Sequence, residues 1–257
     1  MPDRRPWSRE ELLVAFRLYC RTQFGKLHQH NPEIVELSRL LGRTPSAVGM
    51  KACNFASLDP VQQARNIRGL TGASNSDRAL WAEFEADAER IAAEAEAAYE
   101  RFAARLAAIP AAIEEPVEIP AGATEVERRV RTRRVQSFFR AAVLTSYEYR
   151  CAISGLAVPE LLNASHIVPW SADVHRRTDP RNGIALNALY DRAFDRGLIT
   201  FDEEWRVVLS PRLRVDDPPP LHRDGLLGIE GRSLAVPSRF APDREALRYH
   251  RERVFRA

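Results

Sequence analysis

Four side chains in one stretch of the chain have the types and spacing for phosphate chemistry: His166, Asn182, Asp191 and Asp195. An imidazole with an ordinary pKa of about 6.5 can take a proton from water near neutral pH. Asp191 and Asp195 are four apart, so on a helix they share a face, one turn from each other. Two carboxylates so placed can hold one Mg²⁺ or Mn²⁺, because hard cations prefer oxygen ligands. Asn182 precedes Gly183 between the histidine and the aspartates, where its amide can bridge backbone groups and brace the loop. Together these are the parts of one-metal phosphodiester hydrolysis: a base, a cation to neutralise charge on phosphate and leaving oxygen, and a support for the base. Each residue alone has an ordinary structural role. A histidine at a strand end is usually held by hydrogen bonds, and Asn-Gly is a common turn. Asp191 can pair with Arg192, and Asp195 with Arg192 or Arg196. His175 reads as a loop residue, and His222 and His250 as structural.

The elements around these residues can be read coarsely. "YRCAISG" predicts a short strand and "NASHIVPW" a strand end carrying His166. A long loop follows, then a helix over "NGIALNALYDRAFDRG" and a further strand in the alternating "LITFDEEWRVVLS". Upstream, Thr124 and Glu127 form a capping-box pattern that opens a basic helix to about Leu144. From Thr124 to Arg150 there are seven Arg against three Glu, which suits either phosphate contact or a solvated helix face. After Pro211 come five more prolines and a short final helix in "REALRYHRERVF".

The first half is predicted all-helical. Ser8 and Glu11 make a capping box, and the helix carries Leu12, Leu13, Phe16, Leu18 and Tyr19. Asn31 and Pro32 start a second helix, which stops at Gly42. Thr44 and Pro45 start a third after only "GRT", the outline of a helix-turn-helix. From Ser76 to Ala108 an Ala- and Glu-rich segment predicts one long helix, as a spacer or a dimer contact. Three prolines in "IPAAIEEPVEIPAGA" then read as a linker. The expected division is 1–75, a helical recognition domain, 76–123, long helix and linker, and 124–257, the domain with the chemistry.

With 257 residues, 45% of them apolar, the chain can bury a sizeable core. No apolar run approaches the roughly 18 residues of a membrane span. "MPDRRPWSREE" has no apolar h-region, so a cytoplasmic location is expected. Cys20, Cys53 and Cys151 are too scattered for a zinc ribbon or a disulfide framework.

"ASHIVPW … DPRNGIALNALYDRAFDRGLITF" resembles the HNH endonucleases, most of all the branch found among bacterial restriction enzymes. The resemblance covers roughly residues 128 to 210. It implies an α+β chain ending in a ββα-metal unit, with His166 as general base, Asn182 as the middle residue of the motif and Asp191 at the metal position. Asp195 would be an extra ligand one turn on. At family spacing the functional role is favoured for His166, Asn182 and Asp191, and Asp195 is evenly balanced. Two departures stand out. Ser165 occupies a place usually held by a metal-binding Asp or His, and Asp191 replaces an imidazole or amide. Asp195 can compensate for Ser165.

"WSREELLVAFRLY" with "IVELSRLLGRTPSAVGMKACNF" is similar to Myb-like and related helix-turn-helix modules. That likeness implies Ser46, Gly49, Met50 and Asn54 towards a major groove and Arg43 and Lys51 on phosphates; a scaffold or dimerisation domain is the alternative. Arg192 and Arg196 are further DNA-binding candidates. The resemblances imply a restriction or defence enzyme, a dimer, that cuts double-stranded DNA, with modified DNA among its candidate substrates, and leaves 5′-phosphate and 3′-hydroxyl ends. A DNA-binding regulator with an inactive nuclease fold and an RNA-cutting nuclease are the rival readings.

Overall fold

Ser8 Oγ accepts from the Glu11 amide, and the Glu11 carboxylate accepts from the Ser8 amide at 2.8 Å. This reciprocal cap opens α1 (Arg9–Arg21) where the sequence predicts it. The computed structural model describes residues 5–65, 72–107 and 123–257, over 106–107 and 123–131 through the backbone alone. The proline-rich stretch falls largely outside the described residues, and the Thr124–Glu127 cap outside the described side chains.

The chain divides into two units, Met1–Phe138 and Phe139–Ala257. This differs from the expected division at 75 and 123. In the first unit, α2 (Pro32–Leu41) begins with Asn31 accepting from the Glu33 amide and ends at Gly42 in the left-handed region (φ 59°). That conformation suits glycine and lets α3 (Pro45–Ala56) start at once, capped by Thr44. α4 (Pro60–Ala64) is a single turn. The long helix predicted from Ser76 is two helices, α5 (Asn75–Ala86) and α6 (Ala88–Ala107). Asp87 leaves the helical region between them (φ −149°, ψ 81°) and restarts α6 by accepting from the Arg90 amide. α6 is no spacer, since Ile91, Ala92, Ala95 and Ala98 are buried and α6 packs along α1. Phe16 sits at the centre, with its ring 4.8 Å from Phe84, 5.3 Å from Phe55 and 6.2 Å from Trp81.

α7 (Ala123–Ser146) runs through the division, and from Phe139 onward it belongs to the second unit. "YRCAISG" forms turns and not a strand, because Glu148 and Tyr149 both take positive φ (54° and 56°), which breaks extended backbone. β1 (Leu162–His166) pairs antiparallel with β2 (Gly183–Asn187), His166 opposite Gly183. β2 occupies residues expected to open the helix. α8 (Ala188–Asp195) starts only after Asn187, whose side chain accepts from the Tyr190 amide at 2.9 Å. The expected single strand after it is a hairpin, β3 (Ile199–Phe201) and β4 (Val207–Leu209). Its turn is closed by Asp202 accepting from the Arg206 amide and by Trp205 at φ 60°. α9 (Pro220–Gly225) and α10 (Arg244–Tyr249) follow, and α10 runs into a π-helical turn over His250–Val254.

The architecture is α+β, helical first and mixed after. Among the described residues no helix is long and apolar enough to cross a membrane.

Candidate active site

His166 is the last residue of β1. Its Nε2 lies 2.9 Å from the carbonyl oxygen of Arg177. A carbonyl can only accept, so Nε2 carries the proton and Nδ1 keeps its lone pair. The imidazole stacks on Phe139 with centroids 3.9 Å apart and planes 10° apart, and Trp170 meets it edge-on at 5.5 Å. Burial against these groups pushes its pKa below the ordinary value. The Arg177 bond and the Asp191 charge oppose that shift without cancelling it. The ring is therefore neutral at pH 7, the state a proton acceptor needs.

Gly183 makes the stack possible. A Cβ there would lie 2.3 Å from Val143 Cγ2 and 2.9 Å from Phe139 Cζ. Only a residue without a side chain lets α7 approach the hairpin this closely, directly opposite His166.

The loop between His166 and β2 is tied down from within. Asn182, 1% exposed, accepts from the Val168 amide at 2.8 Å and donates to the carbonyls of Val168 and Arg176, both at 3.1 Å. Arg177 Nε donates to the Trp170 carbonyl at 2.8 Å, and its guanidinium lies 5.1 Å from the Trp170 ring centroid. The carbonyl that orients His166 thus belongs to a loop braced at both ends.

α8 supplies the acids. Asp191 is half-buried, and its Oδ2 accepts from Asn163 Nδ2 at 2.7 Å. Its charge is felt by His166 on one side and by Asp195 on the other. Asp195 is exposed. Partial burial first, and then the Asp191 charge, hold its carboxyl above the usual value, while Arg192 and Arg196 pull it back. Solvent screens this shift. Arg192 and Arg196 are themselves exposed.

Among the described residues no group of three or more His, Cys, Asp or Glu is gathered to hold a metal. A soft, imidazole-rich site is thus not what these residues offer. What they offer suits a hard cation that keeps most of its waters and takes one or two carboxylates plus substrate oxygens. Two features fit such an ion. Asp191 and Asp195 repel each other, a strain a cation would relieve. The Ser165 hydroxyl, next to His166, is buried and has no hydrogen-bond partner.

The helix pair of the first unit does not present the cations expected of it. Arg43 donates from Nε and Nη2 to Glu11, at 2.9 and 2.8 Å, and stacks over Trp7. Lys51 is buried and paired with Asp77 at 2.8 Å. Asn54 is buried too, donating to the Gly72 carbonyl at 3.2 Å, and Gly49 is buried, facing Ile34. These groups fasten α3 to α1 and α5 and leave nothing over for phosphate. Only Ser46 and Met50 of the expected set remain exposed.

Sequence reading missed Asn163, Phe139, Trp170 and the Arg177 carbonyl. For Asn163 the one available signal was its position on β1, three residues before His166. His175 is an exposed loop residue, and His222 and His250 are hydrogen-bonded to carbonyls outside the cluster.

Residues 151–202 match the family model described as HNH endonuclease. No curated protein matches the chain.

Proposed function

We propose, from the match of residues 151–202 to the HNH endonuclease family model, that the protein is a metal-dependent DNA endonuclease in which His166 is the general base. The observation that carries this reading is the fixed tautomer of His166. Nε2–H is spent on the Arg177 carbonyl, so Nδ1 keeps its lone pair, and the ring feels the Asp191 charge.

The chain's own residues account for most of the reaction. Nδ1 takes a proton from water as the water oxygen attacks phosphorus. The proton is stabilised on the ring by the Arg177 carbonyl and by Asp191. Asn182 keeps that carbonyl in place. Asp191 and Asp195 would hold one Mg²⁺ or Mn²⁺, which supplies charge neutralisation at the phosphate and the leaving 3′ oxygen. Arg192 on α8 and Arg196 at its end are exposed, which supports a role for them in contacting the DNA backbone. A restriction role, reading of modified bases and cleavage as a dimer extend this proposal. Cleavage of methylated, hydroxymethylated and plain plasmids would discriminate between the first two, and molar mass in solution by light scattering tests the third.

The central test compares wild type with His166→Ala on DNA and RNA in Mg²⁺ and Mn²⁺. The variant is expected to bind DNA as wild type does and to cut about 10²–10⁴-fold more slowly. Equal cleavage by both would refute the base assignment. Tight binding without cleavage by wild type in any metal would leave a DNA-binding regulator, and preference for RNA would replace the substrate.

A further inference from the structure

Asn163 and Asp191 meet across the two halves of the candidate site. Asn163 lies in β1, on the strand that carries His166. Asp191 lies on α8. The bond between them, Nδ2 to Oδ2 at 2.7 Å, is short for an amide donor and is charge-assisted, because the acceptor is a carboxylate. The Asn163 backbone is held within a paired strand, opposite Leu186.

Resting on the nuclease reading above, we infer that Asn163 is a positioning residue that sets how Asp191 presents its carboxylate to the cation. One oxygen, Oδ2, is occupied by the amide, and Oδ1 is left for the ion. The choice of a neutral amide matters. A Lys or Arg in this place would hold the carboxylate equally well but would cancel the negative charge that attracts a cation. Asn163 orients Asp191 and leaves its charge intact. The same bond links the strand bearing the base to the helix bearing the acid, which also pack directly on each other. Groups that orient a ligand in this way change metal affinity about 10–100-fold when removed.

The test uses the full chain and Mn²⁺ alone, titrated by calorimetry without DNA, for wild type, Asn163→Ala, Asn163→Asp and Asp191→Ala. Thermal unfolding without metal and the Mn²⁺ dependence of DNA cleavage are measured alongside. Asn163→Ala is expected to weaken Mn²⁺ binding by about tenfold or more. Cleavage should be regained at high Mn²⁺, with the pH profile of wild type, because the base is untouched. Asn163→Asp should bind Mn²⁺ and resist loss, since a second carboxylate replaces the lost orientation with charge, yet unfold at lower temperature without metal. An Asn163→Ala variant that melts earlier but binds Mn²⁺ as wild type does would overturn the inference and make the bond a fold contact only. Asp191→Ala separates this from the reading beneath it. If that variant, too, binds Mn²⁺ normally, or wild type binds none, the cation site itself is refuted.

Discussion

Protonation of His250 should loosen the support of α8 in acid. His250 is 1% exposed, stacks on Phe194 of α8 with planes 1° apart, and is hydrogen-bonded through Nδ1 to Thr200 and through Nε2 to the Phe194 carbonyl. Burial pushes its pKa down from 6.5 to about 4, the Phe194 bond opposing. With the folded value below the unfolded one, the unfolded chain binds more protons between those pH values, so stability rises with pH. The contribution is complete above about pH 6.5 and is lost as pH falls towards 4. Two and a half pKa units at about 1.4 kcal/mol each correspond to about 3 kcal/mol. His250→Gln removes the titration while keeping a donor and an acceptor. Urea unfolding of both proteins between pH 7 and pH 4 should show wild type losing about 3 kcal/mol more than the variant. An NMR titration of the His250 ring should have its midpoint far below 6.5. Parallel pH dependence in the two proteins, or a midpoint near the ordinary value, would refute the reasoning.

Two further outcomes concern the base and its brace. Phe139→Leu opens the stacked face of His166 to water, so its pKa should rise. The acid limb of the cleavage pH profile should then move to higher pH, at a stability cost of about 1–2 kcal/mol; an unmoved limb would show that the ring does not set the base's proton affinity. Asn182→Ala removes three buried hydrogen bonds to the loop. It should cost about 2–3 kcal/mol in denaturant unfolding and lower the cleavage rate, with the loop amides around Val168 gaining hydrogen exchange.

What could be read in advance was what local chemistry decides. The starts of α1, α2 and α3 follow from Ser8, Asn31 and Thr44, and the end of α2 from Gly42, because caps act within one turn. Asn182 reaching nearby backbone follows from the same short range. The misreadings needed tertiary information. "GIAL" is apolar throughout, and only its pairing with β1 makes it a strand. The long helix breaks at Asp87, a residue whose side chain serves as well to restart a helix as to continue one. Arg43, Lys51 and Asn54 looked available because their partners, Glu11, Asp77 and Gly72, are far away in the chain. Asn163 and Phe139 gain their meaning only from what the fold sets beside them.

The contact between Gly197 and residues 254–256 has a temporal consequence. Gly197, just past α8, takes φ 67°, and a Cβ on it would sit 2.1 Å from the Val254 carbonyl oxygen. The Arg256 amide then donates to the Gly197 carbonyl at 2.9 Å. The helix carrying both aspartates is thus backed by residues that the ribosome adds about fifty to sixty positions later. During translation that helix waits for its backing, which is complete only once those later residues have been joined and docked.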